Sequence, residues 1–162
     1  MAATLKPARA TAAAARGFIS SNGDRFTIGR PAREIFAMTQ ASFDIVFSAH
    51  PVGLKAWVRG EGTLENTVAY WRAIVSELEK RPSSALLLID EMRGEPLSEE
   101  QWRQLVEAMK GGPLDKLRIA HVKPHGLQKI EYCELFAIEA GMHARVFSNE
   151  VEAVMWLRHG LS

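Results

Sequence analysis

Apolar and polar positions change their rhythm along this chain, and the changes mark out its elements. From Ser84 onward, short apolar runs alternate three times with amphipathic stretches. The runs cover residues 85–89, 117–122 and 144–147, and each leads into a segment with helical spacing. That alternation predicts strands joined by helices, hence a parallel or mostly parallel sheet. Upstream, Phe43, Ile45 and Phe47 alternate with Asp44 and Ser48, and Leu54, Ala56 and Val58 alternate after the turn His50-Pro51-Val52-Gly53. Period two on both sides of a Pro/Gly turn predicts a β-hairpin with one buried face. Together these features predict an α/β fold: a mixed β-sheet of about five strands covered by about four α-helices, in the order β-β-α-β-α-β-α-β-α.

The helix boundaries are written in capping residues. Thr63 is placed as the N-cap of a helix that carries Leu64, Val68, Trp71, Val75 and Leu78 on one stripe, with Pro82 beyond its end. Ser98 and Gln101 stand at capping-box spacing, with Leu97 and Trp102 placed as a hydrophobic staple. That second helix should bury Trp102, Leu105, Val106 and Met109 and stop at Gly111-Gly112-Pro113. A third helix is expected over residues 127–140, with Ile130, Cys133, Phe136 and Ala137 on its apolar face and Gly141 as its stop. Asn149, with Glu152 three residues on, opens a fourth. Trp57, Trp71, Trp102 and Trp156 all fall at core-compatible spacing, and Trp156 is expected to anchor the last helix in the core.

Residues 1–42 read as a flexible N-terminal arm with a short helix or strand. Residues 1–22 would be a tail, transiently helical at most over 10–16, followed by an edge strand at 25–28 and a brief helix at 32–40. The length of 162 residues suits one domain over 43–162 plus that arm. A formal net charge of +1 gives nucleic acid no global attraction, and Lys6, Arg9 and Arg16 without interleaved aromatics suit a solubilising tail. No apolar run approaches the roughly 20 residues of a membrane-spanning helix. The one cysteine, Cys133, has no intrachain disulfide partner. These features together predict a cytoplasmic protein that binds no nucleic acid and has no transmembrane segment.

From Phe43 to Leu161 the chain resembles the SpoIIAA-like family of small bacterial proteins, which have the STAS fold. The residues that carry the likeness are Leu88-Ile89-Asp90, Arg118-Ile119-Ala120-His121-Val122 and Arg145-Val146-Phe147-Ser148-Asn149, with Ala153 and Trp156-Leu157. The resemblance implies a mixed sheet with helices mostly on one side and no enzymatic chemistry. It further implies a module that binds a partner protein, a nonpolar small molecule or a membrane surface. STAS antagonists of anti-sigma factors carry an Asp-Ser pair after the central strand. Here that place reads Asp90-Glu91-Met92-Arg93, and Ser98 is displaced and already used as a cap, which disfavours a phosphorylation switch.

Two candidate sites follow. Asp90, Glu91 and Arg93, the helix start at Ser98, and His121, Lys123 and His125 should share the rim at the carboxyl ends of the strands, where ligands of open α/β sheets gather. Adjacent carboxylates on a strand point to opposite faces, so Asp90 and Glu91 make a poor acid–base pair, and a solvated charged loop accounts for them as well. His121 and His125 have a spacing that serves metals on helices, but Pro124 lies between them, so neither a metal nor a cofactor is expected. The second site is the third helix, where Tyr132, Leu135, Phe136 and Ile138 form an apolar face for a fatty ligand, a membrane surface or a second subunit, unless the chain itself covers it.

The leading functional expectation is a non-catalytic STAS-like binding or regulatory module that recognises a protein partner or small ligand at the rim. The alternative is a nonpolar-ligand or lipid-binding protein in reversible, peripheral contact with membranes. A small hydrolase-type enzyme comes last, because the chain has no nucleophile elbow, phosphate loop or zinc spacing.

Overall fold

Period-two stripes on either side of the Pro51 turn fold back on each other and begin the main sheet. The structure is a computed structural model that describes residues 8–11, 42–126 and 130–160. In chain order its elements are β1 (Ala8–Thr11), β2 (Phe43–His50), β3 (Gly53–Glu61), α1 (Leu64–Lys80), β4 (Ala85–Arg93), α2 (Glu99–Met109), a 3-10 turn (Pro113–Lys116), β5 (Arg118–Val122), α3 (Glu131–Glu139), β6 (His143–Phe147) and α4 (Glu150–His159). The strands lie side by side in sequence order. β1, β2 and β3 pair antiparallel, and β3 to β6 pair parallel.

This α/β architecture, with its hairpin, parallel strands and four helices, has the order read from the sequence. β1 adds a sixth strand at the edge, where a tail with a transient helix over residues 10–16 was expected. The strand expected at 25–28 and the helix expected at 32–40 lie outside the described residues, as does the start of the helix expected at 127–140.

Strand order explains helix placement. A sheet that always advances in one direction through right-handed crossovers puts every crossover helix on the same face. Residues of α1, α2 and α3 accordingly share one core with Ile45, Val58, Leu86, Leu88 and Ile119. α4 is not a crossover and covers the other face, where Ala153 and Leu157 pack on Leu87, Ile89, Ala120 and Val122. β4 lies between these layers, and its first six residues are all buried.

The local signals behave as their chemistry requires. The Thr63 side chain accepts from Asn66 N–H, Ser98 and Gln101 form a reciprocal capping box, and Asn149 accepts from Glu152 N–H. Gly53 has φ +145°, and a Cβ there would stand 2.3 Å from the Ala85 carbonyl oxygen, so the hairpin can pack against the start of β4 only with glycine. One expectation is corrected. Trp156 is only half-buried; it packs on Phe147 while the Arg118 guanidinium lies 4.6 Å over its ring and donates to the Trp156 and Leu157 carbonyls. It lies at the edge of the second core layer, between that layer and a cation, because α4 is a single helix with one side in solvent.

Candidate functional site

Register and pleat decide which side chains meet at the rim. Leu88 pairs with His121 and Ile89 with Val122, so Asp90 falls level with Lys123 just past the end of β5. Side chains two apart on a strand share a face. Leu88, Asp90 and Met92 therefore point the same way as His121 and Lys123, into the layer under the three crossover helices. Glu91 points to the opposite face, where it accepts a 2.8 Å hydrogen bond from Trp57 Nε1.

The result is a buried polar cluster. Asp90, His121 and Lys123 keep only 3%, 2% and 8% of their surface. Asp90 Oδ2 lies 2.8 Å from His121 Nε2, and Asp90 Oδ1 accepts from Lys123 Nζ at 3.0 Å and from Met92 N–H at 2.9 Å. Lys123 Nζ also donates to the Met92 carbonyl at 2.9 Å. Burial alone would raise the Asp90 carboxyl, but the bonds and charges of His121 and Lys123 hold it below the usual carboxylate range. An ionised Asp90 only accepts, so His121 presents Nε2–H to it and turns Nδ1 toward Cys133 Sγ, 3.9 Å away. Burial pushes the Cys133 thiol up to about 12, with Asp90 and Glu134 adding to the shift. Burial, followed by the Asp90 charge, likewise pushes the Tyr70 hydroxyl well up.

A cavity of about 370 Å³ opens over this cluster at the carboxyl ends of β3, β4 and β5. Asp90 and Lys123 lie among its lining residues, with Met92, Leu97, Trp102 and Ile130 as apolar wall. Arg93, Glu95 and His125 are exposed lining residues at its mouth.

The rim expected from sequence is thus largely brought together, with three corrections. Asp90 is no part of a solvated charged loop: it is buried, because β4 runs on past β5 under the helices. Ser98 does not line the cavity; its hydroxyl accepts from Gln101 N–H and its own N–H donates to Gln101 Oε1. His121 and His125 separate into core and solvent, and among the described residues no group of three His, Cys, Asp or Glu could hold a metal ion. Sequence reasoning missed the wall residues Gly62, Thr67, Met92, Trp102 and Ile130. Gly62 directly follows the strand that pairs with β4, and its N–H donates to the Arg93 carbonyl. That adjacency, and the two-residue spacing of Met92 from Asp90 on β4, were the available signals, since Thr67, Trp102 and Ile130 come from helix ends that only the packing brings to the rim.

The third helix divides the apolar face expected of it. Phe136 is buried in the main core, whereas Tyr132, Leu135 and Ile138 are 42%, 49% and 54% exposed. Tyr132 stacks on Phe136 with ring centroids 6.1 Å apart, and Glu134 accepts from Val146 N–H at 2.7 Å, tying α3 to the last strand. Among the described residues no helix is long and apolar enough to cross a membrane.

Comparison of the chain with protein-family models, with curated proteins and with solved structures finds no match.

Proposed function

We propose that the protein is a non-catalytic binding module, of the SpoIIAA-like kind it resembles, that holds a small ligand at the carboxyl-end rim of its sheet. The observation that carries this reading is the cavity with a buried Asp90–Lys123 pair among its lining. Buried, paired titratable groups in a concavity are where sites gather in α/β folds.

The same geometry favours binding over catalysis. Both oxygens of Asp90 are taken by protein donors, which leaves it no reach as a general base. The Cys133 thiol is held protonated at ordinary pH and is buried, which makes it a poor nucleophile. Recognition at the rim also suits a cytoplasmic regulator with a protein partner, because Arg93, Glu95 and His125 at the mouth are open to solvent.

The test is native mass spectrometry of freshly purified protein together with a thermal-shift panel of small metabolite-like compounds. A ligand present at a hundred times its Kd should add about 2.7 kcal/mol of stability. The wall substitution Ile130→Ser should abolish the shift. Ligand shifts that are unchanged by Ile130→Ser, or no ligand at all, would overturn the proposal.

A further inference from the structure

The chemistry of the cavity floor selects among ligands. An ammonium group carries three protons. Among the described residues, Lys123 gives one to Asp90 and one to the Met92 carbonyl, which leaves a third for whatever occupies the cavity. Asp90 has no comparable offer, since an ionised carboxylate carries no proton and its oxygens already accept from Lys123, His121 and the Met92 amide. The floor therefore presents one cationic donor and calls for an acceptor.

The charge of that acceptor is limited. Asp90 lies 3.0 Å from Lys123 Nζ and cancels most of its field, and the exposed Arg93 and Glu95 at the mouth offset each other. A dianion such as phosphate would find no net attraction here, whereas a single negative charge spread over two oxygens matches one remaining donor. The walls add the rest of the description. Met92, Trp102 and Ile130 are buried apolar residues, and a volume of about 370 Å³ suits a ligand of modest size.

We infer that the cavity takes a small monocarboxylate with an apolar body, whose carboxylate receives the third proton of Lys123 and whose body lies against Met92, Trp102 and Ile130. This inference rests on the reading of the rim as a binding site and names its ligand class.

The experiment is isothermal titration of the full chain with sodium phenylacetate, neutral phenylacetamide and inorganic phosphate. Phenylacetate should bind saturably, phenylacetamide about tenfold or more weakly, and phosphate not at all, as one charge-assisted hydrogen bond predicts. The double substitution Asp90→Asn with Lys123→Met removes both charges together, so neither is left buried alone. It should weaken phenylacetate about tenfold or more and leave phenylacetamide unchanged. Leu97→Glu, on the half-exposed wall, leaves the floor intact and should have the same effect through repulsion, even if the double variant does not fold. Equal binding of the acid and the amide, or phenylacetate binding that is indifferent to both variants, would overturn the carboxylate class while leaving the rim as a site. Absence of binding by every compound here and in the thermal-shift panel would overturn both readings.

Discussion

The cavity floor and the third helix depart from ordinary burial in opposite directions. At the floor, an aspartate, a histidine and a lysine sit where a core would place leucines, and each is hydrogen-bonded to protein partners. On α3, a tyrosine, a leucine and an isoleucine stand half in water, and the tyrosine stacks on Phe136. The difference is one of constraint. Buried charge persists only if every partner is in place, so the floor is fixed by geometry. Exposed apolar surface costs little and constrains nothing.

The largest effect should come from breaking the floor on one side. Lys123→Met leaves the Asp90 carboxylate buried without its cation and should destabilise the fold by about 3–5 kcal/mol in urea melts. Adding Asp90→Asn should recover most of that loss. If Lys123→Met alone cost under about 1 kcal/mol, Asp90 would have to be solvated, and the contrast with α3 would disappear.

Acid sharpens the same point. The folded-state pKa of Asp90 is lowered, so its contribution is complete above the unfolded value near 3.9 and is lost as pH falls through the folded one. Wild-type melting temperature should drop below about pH 4. The paired Asp90→Asn, Lys123→Met variant should show a shallower acid limb across the same scan, and an identical limb would mean that other carboxylates govern acid unfolding.

These tests turn on groups whose positions the sequence revealed only in part. The alternation at Phe43–Phe47 and the caps at Thr63, Ser98 and Asn149 are local, so the hairpin and helix starts could be read directly. The meeting of Asp90 with Lys123 depends on the register of two strands about thirty residues apart, which no local pattern encodes. A charge cluster after a strand reads as solvated loop unless the neighbouring helices are known to cover it. Wall residues such as Trp102 and Ile130 were assigned to the core, correctly, but their second role as cavity lining exists only where helix ends converge. On α3 the spacing placed Phe136 with Tyr132 and Leu135, and packing separated them because Phe136 alone faces the sheet.

Alkaline pH probes the far end of the floor network. The Cys133 thiol is raised from 9.0 to about 12 by burial, so the folded state keeps it protonated. A raised pKa contributes stability that is complete below the unfolded value and is lost as pH climbs toward the folded one. Stability should therefore decline between about pH 9 and 12, and Cys133→Ala should flatten part of that decline. The raised Tyr70 hydroxyl supplies another part. Alkylation by iodoacetamide at pH 8 should be slow in the native protein and fast in urea. Rapid native alkylation would show that Cys133 is accessible and that the floor is open from beneath.

The smallest effects belong to the exposed stripe of α3, where small is the informative result. Tyr132→Gln, Leu135→Gln and Ile138→Gln each remove an apolar side chain that is already about half solvated. Glutamine is a good helix former, so propensity changes little, and surface substitutions of this kind fall within about 0.5 kcal/mol. Tyr132→Gln should lie at the unfavourable end, because it also loses the stack on Phe136. Chemical melts of the three single variants would check this, with the Lys123→Met variant as the large reference. A cost of 2 kcal/mol or more at Leu135 or Ile138 would be core-sized, by the values typical of buried leucine and isoleucine. The stripe would then be covered in the folded protein, and both regions would be held by burial after all.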